Sequence, residues 1–282
     1  MTTPTQTTPL PPLNALLLAR ALFKRAGSQR AAGALRTRYD AGHLDTARLQ
    51  RYNAALGFAA NALPVTFYYL VAQRAHMATM LDPRFPFRIA GMIHAGNDIT
   101  EQCRVDAGRP LVITTSVAIQ PPKPSGAIHV VLDTAGEQEG KTMFTCRSDY
   151  VAVRGARVTR NGTRHEEPVH GTQIASWTVD ASAGRAYAAI SGDWNPIHLW
   201  PWSARLMGLR SPIIHGMHTV ARACAALEQD RGARLTAISA RFRAPVPLQS
   251  EVRLFANPAG SAYTALCAGR VAVEGAFTVQ PP

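Results

Sequence analysis

The chain lacks the marks of several broad protein classes. Its longest apolar run, near Leu13 to Phe23, is interrupted by Arg20 and is too short to span a bilayer. Met1 to Pro12 holds no Lys or Arg, so the charged start of a secretory signal is missing. The four cysteines, Cys103, Cys146, Cys224 and Cys267, are widely spaced and form no CxxC pair. They read as free or buried thiols in a reducing compartment, and a cytoplasmic location is expected. Acidic side chains are scarce, 18 against 30 Lys and Arg, and the resulting charge of +12 attracts polyanions. Nucleic acid is not the expected one, because basic residues are spread over both halves with no compact run interleaved with aromatics.

What is present is mostly foldable. With 282 residues, 46% of them apolar, the chain can bury a sizeable core as one large domain or two ordinary ones. Residues 2 to 12 are rich in Thr and Pro and are expected to be flexible. Leu13, Leu16, Leu17, Ala21 and Leu22 then recur at helical spacing, which predicts a helix docked on the body; Arg20, Lys24 and Arg25 give it only a modest basic face for a membrane.

The most informative stretch runs from Tyr187 to Met217. Asp193 and His198 lie five residues apart around an Asn195-Pro196 turn, and a Gly216-Met217 pair opens the next apolar segment. Proline disfavours helix at the residue before it and fixes a bend. A carboxylate and an imidazole on such a bend can share one water, the minimum equipment for adding water to an activated double bond or removing it. An aspartate in a Gly-Asp-x-Asn-Pro turn can also simply hold its own backbone as an Asx turn.

The segment resembles the signature of the MaoC-like hydratases and dehydratases, also called the (R)-specific enoyl-CoA hydratase or hydratase-2 family. The resemblance rests on Tyr187, Ser191, Gly192, Asp193, Asn195, Pro196, Ile197, His198 and Ala204, then Pro212, Ile213, His215, Gly216 and Met217. It implies an α+β hot-dog fold, a long helix wrapped by a curved antiparallel sheet, acting on acyl thioesters. The partners it implies are acyl-CoA or acyl-carrier-protein thioesters, whose phosphates or acidic carrier suit the basic surface.

One pattern occurs twice. His43-Leu44-Asp45, Tyr52 and Gly57 echo Thr178-Val179-Asp180, Tyr187 and Gly192 at an offset of 135. Ala90-Gly91-Met92 echoes His215-Gly216-Met217 at an offset of 125, which implies about ten extra residues in the first copy, within Phe67 to Arg88. Phe58 and Leu63 stand where the second copy has Asp193 and His198. This resembles the double hot-dog hydratases, in which one repeat keeps the catalytic residues and the other is hollowed for longer acyl chains. The expected organisation is a flexible segment and helix over 1–39, a degenerate repeat over 40–154, a linker over 155–170 and a catalytic repeat over 171–282. Strands are predicted over Leu111 to Ile119, Ala127 to Thr134 and Lys141 to Arg154, with a turn at Ala135-Gly136. In the second repeat they are predicted over Leu235 to Phe242, Glu251 to Ala256, Tyr263 to Ala268 and Arg270 to Val279.

Hydrating a trans-2-enoyl thioester requires a base for the water attacking C3, a proton for C2, and donors for the growing charge on the thioester oxygen. Asp193 and His198 are the candidates for the first two. Gly216, at a helix start, is the candidate for the third, since unpaired N–H groups and the helix dipole favour negative charge there. The family implies syn addition and an (R)-3-hydroxy product. Asn195, Tyr187, Ser191 and His215 are expected to support the site. Arg243, before a Pro-x-Pro bend, is a candidate phosphate contact or a solvated strand arginine. His215 and His218 lack the third ligand and ordered set of a zinc site, so no metal is expected, nor any cofactor beyond the coenzyme A or phosphopantetheine carried by the substrate. Trp194, Trp200 and Trp202 are expected to roof the site or pack its overhang. A carrier-protein dehydratase, a hot-dog thioesterase and a silent acyl-thioester-binding subunit are the rival readings, and a homodimer is compatible with all of them.

Overall fold

Eleven strands and six helices are built by residues 6–13, 15–27, 35–153, 171–257 and 260–280, the parts described by this computed structural model. They are grouped in two compact units. The linker expected over 155–170 lies outside the described residues.

The first unit comprises residues 1–46 and 68–158. Its elements are β1 (Thr7–Pro9), α1 (Ala15–Phe23) and β2 (Leu35–Gly42), followed, beyond an excursion into the second unit, by most of α3 (Phe67–Met80) and by β3 (Ile93–Glu101), β4 (Leu111–Ile119), β5 (Ile128–Gln138) and β6 (Lys141–Val153). The strands lie in the order β1-β2-β4-β5-β6-β3, antiparallel except for the parallel β1–β2 pair. Helix α3 packs across them. The His76 ring shares a 2.8 Å hydrogen bond with Thr134 on β5, Thr79 meets Thr37 on β2 at 2.7 Å, and Tyr68 stacks on Phe144 of β6 at 4.5 Å.

Two local expectations fail here for visible reasons. The Thr/Pro-rich start is not free throughout: Thr7–Pro9 pairs with Arg38 to Asp40, and Arg74 donates to the Leu10 and Pro11 carbonyls at 2.7 Å. Ala135-Gly136 is no turn either. β5 runs through it to Gln138, and Gly136 is small because a Cβ there would lie 2.2 Å from the Phe144 ring. The chain reverses at Glu139 and Gly140, both at positive φ (51° and 78°). The docked helix is borne out, with Leu17 and Ala21 buried and Lys24 over the Phe85 ring, although Leu16, Leu22 and Phe23 face outward.

The second unit comprises residues 47–67 and 159–282, so it takes nearly all of α2 (Thr46–Leu56) from the first sequence repeat. Its further elements are β7 (Thr172–Thr178), α4 (Ala183–Ser191), a 3₁₀ turn at Pro196–His198, α5 (Pro201–Leu206), α6 (Gly216–Arg231), β8 (Leu235–Phe242), β9 (Glu251–Ala256), β10 (Ala262–Cys267) and β11 (Arg270–Val279). The sheet order is β8-β11-β10-β9-β7, all antiparallel. Helix α6 packs on β7, β8 and β11. Small side chains let it lie close: Thr219, Val220, Ala221, Ala223, Cys224 and Ala225 are all buried, and Gly232 ends it in the left-handed conformation. Each unit is thus a helix on an antiparallel sheet, the hot-dog arrangement.

The duplication is real at one end and false at the other. Gly57 (φ 86°) ends α2 as Gly192 (φ 78°) ends α4, so the offset of 135 relates matching helix ends. Gly91-Met92, by contrast, sits in the turn before β3 and starts no helix. The counterpart of α6 is α3, which begins ten residues after Gly57, whereas α6 begins twenty-four after Gly192. The first copy is therefore shorter at this point, not longer, because it lacks the overhang that carries α5.

Candidate active site

The bend after α4 is organised by its own short polar side chains. Gly192 closes the helix by donating to the Ala188 carbonyl at 2.7 Å. The Ser191 hydroxyl accepts the Asp193 N–H (3.2 Å), Asp193 Oδ1 accepts the Asn195 N–H (3.1 Å), and Asn195 Oδ1 accepts the Ile197 N–H (3.4 Å). The Asx turn therefore exists, and the same carboxylate lies close to His198 and His215. Ser203 Oγ donates to the Pro196 carbonyl at 2.7 Å, which ties the 3₁₀ turn to α5.

From beneath, the bend is held by α2. Arg48 donates from Nε to the Ile190 carbonyl and from Nη2 to the Ser191 carbonyl, both at 2.6 Å. A cation is favoured at a helix C-terminus, where carbonyls lack helical partners. Nothing local in the sequence marked Arg48, which lies 142 residues before Ile190. Gly184 supplies a second constraint: a Cβ there would come within 1.9 Å of the His198 carbonyl oxygen.

His198 is buried, and its Nδ1 lies 2.8 Å from the Ile213 carbonyl. A carbonyl can only accept, so Nδ1 carries the hydrogen and Nε2 keeps a lone pair. Burial lowers its pKa, while the Asp193 charge and the Ile213 bond push the other way. The net lowering keeps the ring neutral and able to take a proton. His215 stacks on it at 3.7 Å and donates from Nε2 to the Asp193 carbonyl at 2.9 Å. Burial, and then His198, lower the His215 pKa to about 3, so it is a neutral brace. One ligand atom from each of Asp193, His198 and His215 lies within 4.8 Å of the others. Two of the four imidazole nitrogens in this trio are already spent on carbonyls. Tyr187 closes the floor, its ring 5.0 Å from that of His215, with its pKa raised by burial and by Asp193.

Gly216 begins α6 beside this group, with His215 as its N-cap residue. Its lack of a side chain has a packing cause: a Cβ would lie 2.5 Å from the Phe242 ring. The Gly216 and Met217 N–H groups have no helical acceptor, while the His218 N–H donates to the His215 carbonyl at 3.0 Å. Arg243 lies apart from the trio's hydrogen bonds and is paired with Glu274 on an exposed strand, at 2.7 Å from Nε. Of the three tryptophans, Trp200 and Trp202 stack at 6.0 Å, and all three are well exposed on the overhang. The positions matching the acid and base in the first copy are buried and apolar, Phe58 stacking on Tyr52 at 6.0 Å and Leu63 at 5% exposure.

The chain is similar to known proteins. Residues 160–265 match the MaoC-like domain. The chain is 26% identical over 220 residues to 3-hydroxyacyl-thioester dehydratase X of Mycobacterium tuberculosis, covering 75% of this chain and 76% of that protein. It is 30% identical over 172 residues to 3-hydroxyacyl-thioester dehydratase Y of the same organism, covering 57% and 59%. The crystal structure of HtdX from Mycobacterium tuberculosis superposes with a TM-score of 0.72 at 22% identity, over 87% of this chain and all of that one. An acid and an imidazole set on one polar bend before a glycine-started helix therefore lie within the residues that match the MaoC-like domain, in a chain similar to 3-hydroxyacyl-thioester dehydratases.

Proposed function

We propose that the chain catalyses the reversible hydration of trans-2-enoyl thioesters to (R)-3-hydroxyacyl thioesters, as a hydro-lyase. The observation that carries this is the fixed tautomer of His198: Nδ1 is spent on Ile213, Nε2 keeps a lone pair, and one nitrogen of the ring lies within 4.8 Å of an Asp193 carboxylate oxygen. A water there has both hydrogens directed, one at each group. The couple takes a proton as hydroxyl forms a bond to C3, and returns one to C2 from the same face. Charge growing on the thioester oxygen is met by the first N–H groups of α6 at Gly216. Such donors contribute about 3–4 kcal/mol and acid–base help about 10²- to 10⁴-fold.

Ser191, Asn195, His215 and Tyr187 hold the couple in place. Arg243 is assigned to the substrate phosphates, exchanging Glu274 for them. Phe58 and Leu63 line the acyl path of the hollowed copy. The chemistry calls for no metal and no resident cofactor, and the substrate brings its own coenzyme A or phosphopantetheine. The four unpaired thiols suit a cytoplasmic setting. A homodimer belongs to the same proposal, and light scattering on the purified chain tests it.

The decisive assay follows enoyl absorbance with crotonyl-CoA and longer enoyl-CoA substrates. Asp193→Asn retains an oxygen for the Asn195 N–H and should keep the fold while losing turnover. His198→Ala should do the same. Near-normal activity in either variant removes the couple from the mechanism.

A further inference from the structure

Besides Asn53 Oδ1 on α2, five buried polar atoms of the second unit find no hydrogen-bond partner among the described residues: Trp177 Nε1, Tyr187 OH, His215 Nδ1, His218 Nδ1 and Thr219 Oγ1. They are not scattered. His215, His218, Thr219 and Arg222 follow the i, i+3, i+4, i+7 spacing of one helix face, so they form a stripe that starts at the Asp193–His198 couple. Tyr187 overlies the start of the stripe, its ring 5.0 Å from His215 and 5.4 Å, edge-on, from His218. Trp177 closes the far end, with the half-buried Arg222 guanidinium 5.6 Å from its ring centroid. Seven helical residues span about 10 Å, the length of about three waters in file.

An orphaned buried polar atom costs about 1–3 kcal/mol, and buried water is the usual remedy, each molecule making about three hydrogen bonds. Five such atoms on one path therefore ask for a hydrated channel. Burial holds His218, like His215, neutral, with a pKa of about 3; His215, whose Nε2 hydrogen is spent on the Asp193 carbonyl, accepts from water through Nδ1, and the Nδ1 of His218 can donate or accept according to its tautomer. The reaction also needs such a route. In dehydration the couple removes the C2 proton, the C3–O bond breaks, and the hydroxyl takes a proton and leaves as water while the enoyl thioester still fills its own path.

We propose that this face of α6 binds a file of ordered waters that supplies and drains the Asp193–His198 couple independently of the thioester. The proposal rests on the hydratase reading above. The test uses an (R)-3-hydroxyacyl thioester carrying ¹⁸O at C3 in unlabelled water. The quantity read is the initial rate of unlabelled hydroxyacyl thioester formation divided by the initial rate of enoyl release. Wild type should show substantial wash-out, because water escapes before the enoyl does. Thr219→Val removes one polar atom at nearly constant shape, Trp177→Phe removes another together with part of the ring, and the two together should lower the ratio by more than half while enoyl release persists. An unchanged ratio in the double variant, or no wash-out in wild type, overturns the channel. Absence of any turnover by wild type overturns the hydratase reading instead. Should the double variant fail to fold, Thr219→Val alone carries the same comparison.

Discussion

Arg48→Met asks whether a side chain from the first sequence repeat sets the geometry of the second. Methionine keeps the unbranched stem and removes both donors to the last carbonyls of α4. A hydrogen bond to a charged group contributes about 1.5–3 kcal/mol. Both bonds share one guanidinium that is only partly buried, so the loss should total about 3 kcal/mol rather than twice that. At about 2–4 °C per kcal/mol for a domain of this size, Tm should fall by about 6–12 °C. The catalytic consequence is separable, because α4 ends where Gly192 and Asp193 begin. A shift of about 1 Å in a reacting group can cost about 10²-fold, so kcat should fall at least tenfold with KM nearly unchanged. Arg48→Lys, with one compact donor, should recover part of both. Melting curves and enoyl-CoA kinetics on the three proteins suffice. If Arg48→Met melts and turns over like wild type, α2 is not what positions the bend, and the arrangement of that helix under α4 loses its functional meaning.

Stability should weaken on acidification. His215 and His218 have folded pKa values of about 3, against an ordinary 6.5, so the unfolded chain binds more protons between those limits. Their neutral burial contributes fully above pH 6.5 and is lost as pH falls toward 3; Tm measured across that window should drop, and His218→Phe should flatten the slope. The acid limb of kcat/KM should lie below the ordinary imidazole value because His198 is shifted down, and a limb at or above 6.5 would contradict that environment. Gly216→Ala should lose about 1–3 kcal/mol through overpacking against Phe242, and adding Phe242→Leu should restore both Tm and activity, since alanine keeps the N–H. Arg243→Ala should leave stability within about 1 kcal/mol of wild type, as for other exposed pairs, while raising KM for coenzyme A thioesters; an unchanged KM removes Arg243 from the site.

The bend was legible in the sequence because it is built locally. Ser191, Asp193 and Asn195 each accept an N–H two residues ahead, a range over which residue type and spacing carry the geometry. Strands such as Leu111–Ile119 and Leu235–Phe242 were legible for the same reason, through β-branched runs between turn residues. What escaped was long-range. Arg48 acts across 142 residues. The echo at Gly91-Met92 matched letters but not structure, since a strand follows it where Gly216-Met217 opens a helix. Ala135-Gly136 looked like a turn because glycine serves two purposes, and only the Phe144 ring shows which one applies. β1 was hidden by its Thr/Pro composition, although pairing along one edge of β2 is open to such residues.

Gly184 has a practical meaning for anyone reshaping this scaffold. Its missing methyl group lets the first turn of α4 press against the main chain of His198, so the smallest possible substitution would move the imidazole without touching it. Libraries that diversify α4 to alter substrate range should leave this codon fixed, because inactive clones arising there would be mistaken for evidence about specificity.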